Sequence, residues 1–535
     1  MNNVANYFWK RKKLVIVSLL FLLIQLPFLD QLSFLRGERD IMLTGWSLAR
    51  TGHDLYGRFL PLEFTGIDPN VPFVPMYVTA LWWLVMPIKS VFTARLFFVL
   101  ISTTIPFLVF EIVNHIKKEE KIAFITALLF CFSPGVFYLT RLTLEIGIAF
   151  PLLLVGTLLY IKQKRIFSLL PFFLAFYSYH GFRPLIPILL IYLEFFYFLQ
   201  GKRKGVIKHA LLGIVFSVVM LVLSIKIDGN LMKSRSNDLI FFNFTQLANQ
   251  IDYRRNTSSA PRLISGLFDN KLTELGMFLK DNFFGGISFE YLFRNGDPSS
   301  LYATTFSGQF FLTYLALFIL GFAYLGKKGT KVDIYILGLV LVGLVPSLAN
   351  ISYPSYSIRA MLSSVGYAYL FGLGLLFLKD HVANNNKLLR RGIFSLLGIA
   401  LLIEISYLGY NFYFRRYTTM SQMYFETERN VPLYLSSSEK PYTIFVSSPR
   451  DMFFGYAFFN NAVDPQLVQQ TTKKGEPYIY NNLIFKKCSK SYPKTHVILS
   501  DMCLTDAAYK KLFDSNVKRI NYTNYYFRSS FFIVD

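Results

Sequence analysis

The chain has 535 residues, of which 53% are hydrophobic and only 16% charged, with 56 phenylalanines and a formal net charge of +23. A soluble domain carries about 25% charged residues, so this composition excludes a water-soluble globule and implies apolar runs that face lipid. The excess Lys and Arg fall in short clusters between apolar runs, a pattern that orients membrane proteins and argues against nucleic acid as a partner.

At the N-terminus, Lys10, Arg11, Lys12 and Lys13 precede an apolar segment with no small-residue cleavage pattern, and further apolar runs follow. The segment therefore reads as a retained first helix rather than a removed signal. Eleven spans are expected, near 13–31, 91–113, 122–140, 143–161, 166–180, 183–200, 207–226, 307–325, 332–349, 358–378 and 391–411. At about 1.5 Å per residue most of them cross a hydrocarbon core of roughly 30 Å, with 166–180 short for that length.

If successive gaps alternate sides, six basic clusters fall together. They are Lys10–Lys13, Lys117/Lys118/Lys121, Lys162/Lys164/Arg165, Lys202/Arg203/Lys204, Lys327/Lys328/Lys331 and Lys379/Lys387/Arg390/Arg391. That side is expected to be cytoplasmic, giving a multi-pass plasma-membrane protein with a cytoplasmic N-terminus. Loops 32–90 and 227–306, and everything after residue 411, are then expected outside. The piece PMYVTALWWLVMP (75–87) is short for a span and reads as interfacial, with Trp82 and Trp83 at headgroup level.

From residue 412 the chain turns polar, with short runs such as YTIFVSS (442–448) and THVILSD (495–501) that read as strands. The expected organisation is thus a helical membrane domain, 1–411, and an extracytoplasmic α/β domain, 412–535. Cys488 and Cys503, fifteen residues apart, are either a disulfide or two buried thiols, and Cys131 reads as an inert thiol in an apolar run. The chain contains neither G-x-G-x-x-G nor a Walker A loop, so no nucleotide is expected.

Polar residues gather at the expected outer ends of the spans. In FLRGERDIMLTG (34–45), Glu38 and Asp40 open a loop that also holds His53, Asp54, Arg58, Glu63 and Asp68. A shielded carboxylate here would gain proton affinity and suit a general base on a hydroxyl. It would equally suit a divalent cation that Glu-x-Asp alone does not name, or be a solvated interfacial acid. Arg141 and Glu145, four apart, are expected to share a helical face, either as an ion pair between spans or as substrate contacts. FYSYHGFRPLIP (176–187) crowds Tyr177, Tyr179, His180 and Arg183 into one turn, which suits a sugar or phosphate, or else an aromatic belt. FEYLFRNGDPSS (289–300) ends in a turn with Asp297, and SYPSYSIRAM (352–361) puts Arg359 at the head of a span. A guanidinium there either grips the oxygens of a lipid phosphate or snorkels.

These residues carry a resemblance. ERDIMLTGWSLARTGHDLYGRFLPLEF (38–64), SPGVFYLTRLTLE (133–145), YSYHGFRPLIP (177–187), FEYLFRNGDPSSLYATTFSGQFFL (289–312) and PSYSIRAM (354–361) are similar, in order, to membrane glycosyltransferases of the GT-C fold that use polyprenyl-phosphate sugars. More narrowly, the chain resembles the family-39 and ArnT-like enzymes related to protein O-mannosyltransferases. The resemblance implies an α-helical polytopic protein of about 11 transmembrane helices that transfers a sugar, with inversion, to a hydroxyl on the outer membrane face. The implied partners are a polyprenyl-phosphate-linked donor, an envelope glycan, lipid or protein acceptor, and membrane lipids. It also implies a catalytic acid at the end of the first helix. Members often carry Asp-Glu there; here Gly37 and Glu38 occupy those places and Asp40 follows, so Glu38 or Asp40 is the expected base. Arg359, with Arg183 second, is the expected contact to the donor phosphate. A lipid-linked sugar flippase and a non-catalytic envelope assembly protein of the same fold are the alternative readings.

Overall fold

The computed structural model describes residues 11–64, 71–199, 206–227, 229, 238–241, 243–299, 301–304, 306–351, 354–383, 387–416, 426–436, 440–489, 496–500, 503, 518–521 and 530–534. Lys10, Asp68 and the Lys202/Arg203/Lys204 cluster lie outside the described residues. The chain forms two compact units, one built from 1–25, 99–141 and 145–408, the other from 26–98, 142–144 and 409–535.

The first unit is helical. Five helices of the chain are long and apolar enough to cross a membrane: Val91–Lys117, Ile207–Ile227, Lys331–Leu348, Met361–His381 and Arg391–Arg415. The expected figure of eleven is not reached among the described residues, and local chemistry explains the shortfall. The first expected span is the Lys12–Gln25 helix of 14 residues. The expected run 122–140 breaks at Ser133, because Pro134 lacks an N–H and opens a new helix, leaving Glu120–Cys131 and Pro134–Leu139. The expected 307–325 is Tyr314–Lys328, 15 residues or about 22 Å.

The Met361–His381 helix is the axis of this unit, 83% of its apolar window being buried against 6% for Arg391–Arg415. It packs on Tyr314–Lys328, Lys331–Leu348 and Glu120–Cys131. Small residues allow this: Gly321 and Gly374 lie so close to the carbonyls of Leu370 and Leu317 that a Cβ at either would clash. Four of the six basic clusters are tied by ion pairs within this unit. Arg11 pairs with Glu120, Lys162 with Glu111, Lys117 with Asp333 (2.6 Å) and Lys328 with Asp380 (3.0 Å).

The second unit contains helices Arg36–Thr51 and Phe73–Val85, and a six-stranded sheet. Its strands are β1 (Tyr442–Val446), β2 (Tyr478–Tyr480), β3 (Leu483–Lys487), β4 (Val497–Ser500), β5 (Lys518–Asn521) and β6 (Ser530–Val534), in the order 2-3-1-4-6-5. β1 is parallel to β3 and β4, with Ile444 opposite Phe485 and Ile498; the remaining pairings are antiparallel. The apolar runs at 442–448 and 495–501 are therefore the two central strands, buried as parallel strands must be.

Helices Pro449–Phe459 and Pro465–Lys474 join this sheet to Arg36–Thr51. Gln469 Nε2 donates to Ser47 Oγ (2.9 Å) and Thr51 Oγ1 (2.8 Å). The stretch expected as an outer loop is thus a packed pair of helices. Gly45 meets Thr79 closely, and the buried Trp83 donates its indole N–H to the Met42 carbonyl (3.0 Å), so Trp83 is a core residue rather than an interfacial anchor.

Cys488 and Cys503 form a disulfide. A cross-link closing fifteen residues contributes about 3 kcal/mol by limiting the unfolded chain. Non-reducing peptide mapping should recover the linked pair, and reduction should lower the melting temperature of the sheet, with Cys488→Ser behaving the same way.

Candidate active site

The helix Arg36–Thr51 has no capping Ser, Thr, Asp or Asn at its start; Leu35 stands there in extended conformation. Glu38, three residues on, supplies the missing acceptor, and the Leu35 N–H donates to its Oε2 at 2.9 Å. Arg95 grips the same carboxylate with two prongs, Nε to Oε1 (2.9 Å) and Nη2 to Oε2 (2.7 Å), and the Thr143 N–H adds a bond to Oε1 (2.9 Å). Glu38 is fully buried, and these four donors occupy its acceptor directions. Arg95 also donates to the carbonyls of Leu29, Leu32 and Ser33, so one ion pair fixes the helix start and the segment before it. Glu38→Gln should therefore lower stability by about 3–5 kcal/mol, read as a fall in melting temperature in detergent, because it leaves a buried guanidinium uncompensated.

Asp40 follows two residues later. On a helix that step turns about 200°, so the two acids, expected to act together, point to opposite sides. Asp40 Oδ1 accepts from Arg39 Nε (2.9 Å) and Nη2 (2.7 Å). Arg39 Nη2 also reaches Asp451 Oδ1 (2.8 Å), and Nη1 the Asp451 carbonyl (3.3 Å), while its guanidinium lies over the Phe454 ring at 5.6 Å. All atoms of Arg39 and Asp40 are withdrawn from solvent. Burial alone would push protons off Arg39, but the two acids overcome it and raise its proton affinity above the ordinary value.

His53 and Asp54 build the turn after this helix. Gly52 takes a left-handed conformation (φ 72°) and ends the helix by donating to Leu48 O. His53 Nδ1 lies 2.7 Å from Thr51 O with its ring against Phe59. Asp54 Oδ1 accepts the N–H groups of Tyr56 and Arg58 (both 2.9 Å), and Oδ2 accepts Arg58 Nε (2.7 Å). Its carboxylate is spent closing the loop.

The other expected residues belong to the first unit. Arg141 lies in the connection after Pro134–Leu139, buried over Phe137, with Nη1 3.5 Å from Ile24 O. Glu145 begins the next helix, so the two do not share a helical face, contrary to their spacing. Tyr177 is buried with its hydroxyl 3.4 Å from Met220 O and from Ser224 Oγ; Tyr179 packs edge-on against Phe182. Arg183 is 7% exposed over Phe176 and Tyr177, and His180 is half-buried beside it. This turn is a cation-and-aromatic cluster.

Asp297 and Arg359 form the clearest constellation. Asp297 Oδ2 accepts the Ser357 N–H (2.6 Å) and Oδ1 the Ser299 N–H (2.8 Å), which pins the short helix Tyr356–Arg359 from outside. Ser357 Oγ donates to Gln309 Oε1 (2.8 Å), fixing the same turn from behind. Arg359 is half-buried, immediately ahead of the Met361–Ala383 helix, and its guanidinium makes no hydrogen bond or ion pair among the described residues. Burial pushes the Asp297 carboxyl up to about 6, against the pull of the Ser357 and Ser299 N–H groups and Arg359. Its proton is held by the folded protein alone between about pH 4 and 6. This contribution is therefore complete below about 4 and lost as pH rises through 6, by about 3 kcal/mol. Melting curves between pH 4 and 7 should show this loss in the wild type and its absence in Asp297→Asn.

Four buried residues around helix Arg36–Thr51 were not singled out from the sequence: Arg39, Arg95, Lys89 and Asp451. Arg95 interrupts an apolar run, a signal in itself, since a lone intramembrane charge is expensive and needs a partner. Lys89 donates to Ala457 O (2.6 Å) and lies 4.0 Å over the Trp46 ring; burial, with Arg50 adding, pushes it down to about 7. Asp451 carried no local signal. Among the described residues no three His, Cys, Asp or Glu side chains converge to hold a metal ion.

No family profile matches the chain, and no curated protein matches it. Among solved structures it is similar to the oligosaccharyltransferase AglB from Archaeoglobus fulgidus in complex with an inhibitory peptide and a dolichol-phosphate, at 13% identity and TM-score 0.48. That match covers 85% of this chain, which spans only 64% of the archaeal protein's length. It is also similar to ArnT from Cupriavidus metallidurans bound to undecaprenyl phosphate, at 12% identity and TM-score 0.47, over 98% of both chains. Likenesses of this degree carry no argument about chemistry.

Proposed function

We propose that the protein is an inverting glycosyltransferase that moves a sugar from a polyprenyl-phosphate donor to a hydroxyl acceptor at the outer face of the plasma membrane. The motifs from 38 to 361 support it, as does a cation placed ahead of an apolar helix. The observation that carries the reading is Arg359: its turn is locked from two sides by Asp297 and Gln309, and its guanidinium, near enough to Asp297 to act on its charge, makes no hydrogen bond or ion pair among the described residues. A guanidinium carried on a braced turn at the head of an apolar helix suits a phosphate whose hydrocarbon tail lies in lipid.

Of the two acids, Asp40 is the better base. Glu38 is saturated by four donors, and protonating it would break the Arg95 pair. In the proposed reaction Asp40 takes the acceptor's hydroxyl proton. The freed oxygen attacks the anomeric carbon, and the bond to the phosphate oxygen breaks with its electron pair leaving on the polyprenyl phosphate. Arg359, fixed before the reaction begins, stabilises the negative charge that grows on those oxygens. The disulfide supports placing the sheet outside the cytosol, where thiols oxidise.

The test is transfer from a panel of radiolabelled polyprenyl-phosphate sugars (mannose, glucose, galactose, arabinose) to envelope extract, using protein in lipid nanodiscs. Asp40→Asn should cut kcat by about 10²-fold or more with donor KM little changed. Arg359→Ala should cost about 10- to 100-fold in kcat/KM for the donor. A wild type inactive with every donor would remove the reading, and full activity in Asp40→Asn would remove the assignment of the base.

A further inference from the structure

The guanidinium that holds Asp40 reaches beyond its own helix. It belongs to Arg39 and is shared with Asp451, more than four hundred residues away in sequence and at the start of the Pro449–Phe459 helix of the same unit. Both carboxylates lie within hydrogen-bond distance of one nitrogen, Arg39 Nη2. Asp451 is itself tightly placed: Ser448 Oγ donates to its Oδ2 (2.7 Å), Arg36 Nε lies 3.6 Å from its Oδ1, and the residue is 4% exposed.

We infer that Asp451 is a positioning residue for the transfer reaction, acting through Arg39 to hold Asp40 in place and to offset the cation beside it. This rests on the reading of Asp40 as the base. Without Asp451, Asp40 would feel more of the Arg39 charge. It would then be a weaker base in a looser position. With Asp451 present the guanidinium is divided between two acids, so Asp40 keeps more of its affinity for the acceptor's proton. The C-terminal segment thereby completes the electrostatics of the proposed base rather than adding only an acceptor platform.

The charge state of Asp451 agrees with the shared nitrogen. Burial would raise the Asp451 carboxyl, but Arg39, Ser448 and Arg36 together hold it below the usual carboxylate range, so it is anionic at neutral pH. The groups facing this cluster are Arg36 and Arg39 on the first helix, Arg450 and Asp451 on the second, Tyr56 and Arg58 from the turn after the first helix, and Tyr478 from β2. Glu38 and Arg95 are on the other side of the helix and neutralise each other.

The experiment is a pH titration of the full chain in nanodiscs by infrared difference spectroscopy, with the protonated Asp40 band identified by its loss in Asp40→Asn. This reads Asp40 whether or not any sugar is transferred, so a failed transfer assay and a failed inference stay distinct. In Asp451→Asn, a near-isosteric change, the Asp40 midpoint should fall by about one pH unit. In Asp451→Glu, which keeps the charge, it should stay at the wild-type value. Arg36→Gln, at a half-exposed position, removes a cation from Asp451 and should move the midpoint up, which supplies the test if Asp451→Asn fails to fold. Where transfer is measurable, the acid limb of kcat should move down in step for Asp451→Asn, kcat on the plateau should drop about threefold, and donor KM should hold. An Asp40 midpoint unmoved in Asp451→Asn, or in Arg36→Gln where that variant stands in, would overturn the inference. So would a midpoint that shifts equally with Glu at 451, which would assign the effect to packing.

Discussion

Two guanidiniums that water does not reach organise the second unit. A buried cation costs several kcal/mol unless acids and carbonyls surround it, so each one dictates what must lie around it. Arg95 dictates Glu38, the carbonyls of Leu29, Leu32 and Ser33, and through Glu38 the first turn of helix Arg36–Thr51. Arg39 dictates Asp40 and Asp451, and so ties that helix to the helix leading into the sheet. If either cation lost its acids, the fold around the helix would have to open to let water in.

The first unit solves a different problem. Its helices gain little from excluding water where lipid surrounds them, so close approach matters more than apolarity. Gly321 and Gly374 let the Tyr314–Lys328 helix lie close against Met361–His381, and ion pairs such as Lys117 with Asp333 tie the unit further. The rigidity of that axis gives Arg359 its value. A short helix braced by Asp297 and Gln309 and joined to a buried span has little freedom to move, so the root of the Arg359 side chain is in place before any ligand arrives.

The positions of the acids separate two jobs that carboxylates of similar sequence setting can do. Glu38 spends its whole capacity on structure, while Asp40 is placed in a network of shared charge. Lys89 shows the same economy in a cation: buried, it is held by the Ala457 carbonyl and the Trp46 face instead of a carboxylate. Arg39 and Gln469 are matched across long sequence distances within this unit, so a change in the C-terminal helices reaches the first helix directly.

The sequence by itself determined the class of molecule, because composition and the spacing of basic clusters are properties of the chain alone. Four of those six clusters are tied by ion pairs within the helical unit, and the two aliphatic runs after residue 440 are the central strands. It also marked Arg359 and Asp297, since an Arg heading an apolar run and an Asp in a turn are local signals. Tertiary structure decided what spacing could not. Whether 34–45 is loop or helix settles that Glu38 and Asp40 face apart, and the end of the Pro134–Leu139 helix before Arg141 settles that Arg141 and Glu145 share no face. Asp451 was invisible, because its meaning lies in a guanidinium more than four hundred residues away, and a contact of that separation leaves no trace in local pattern.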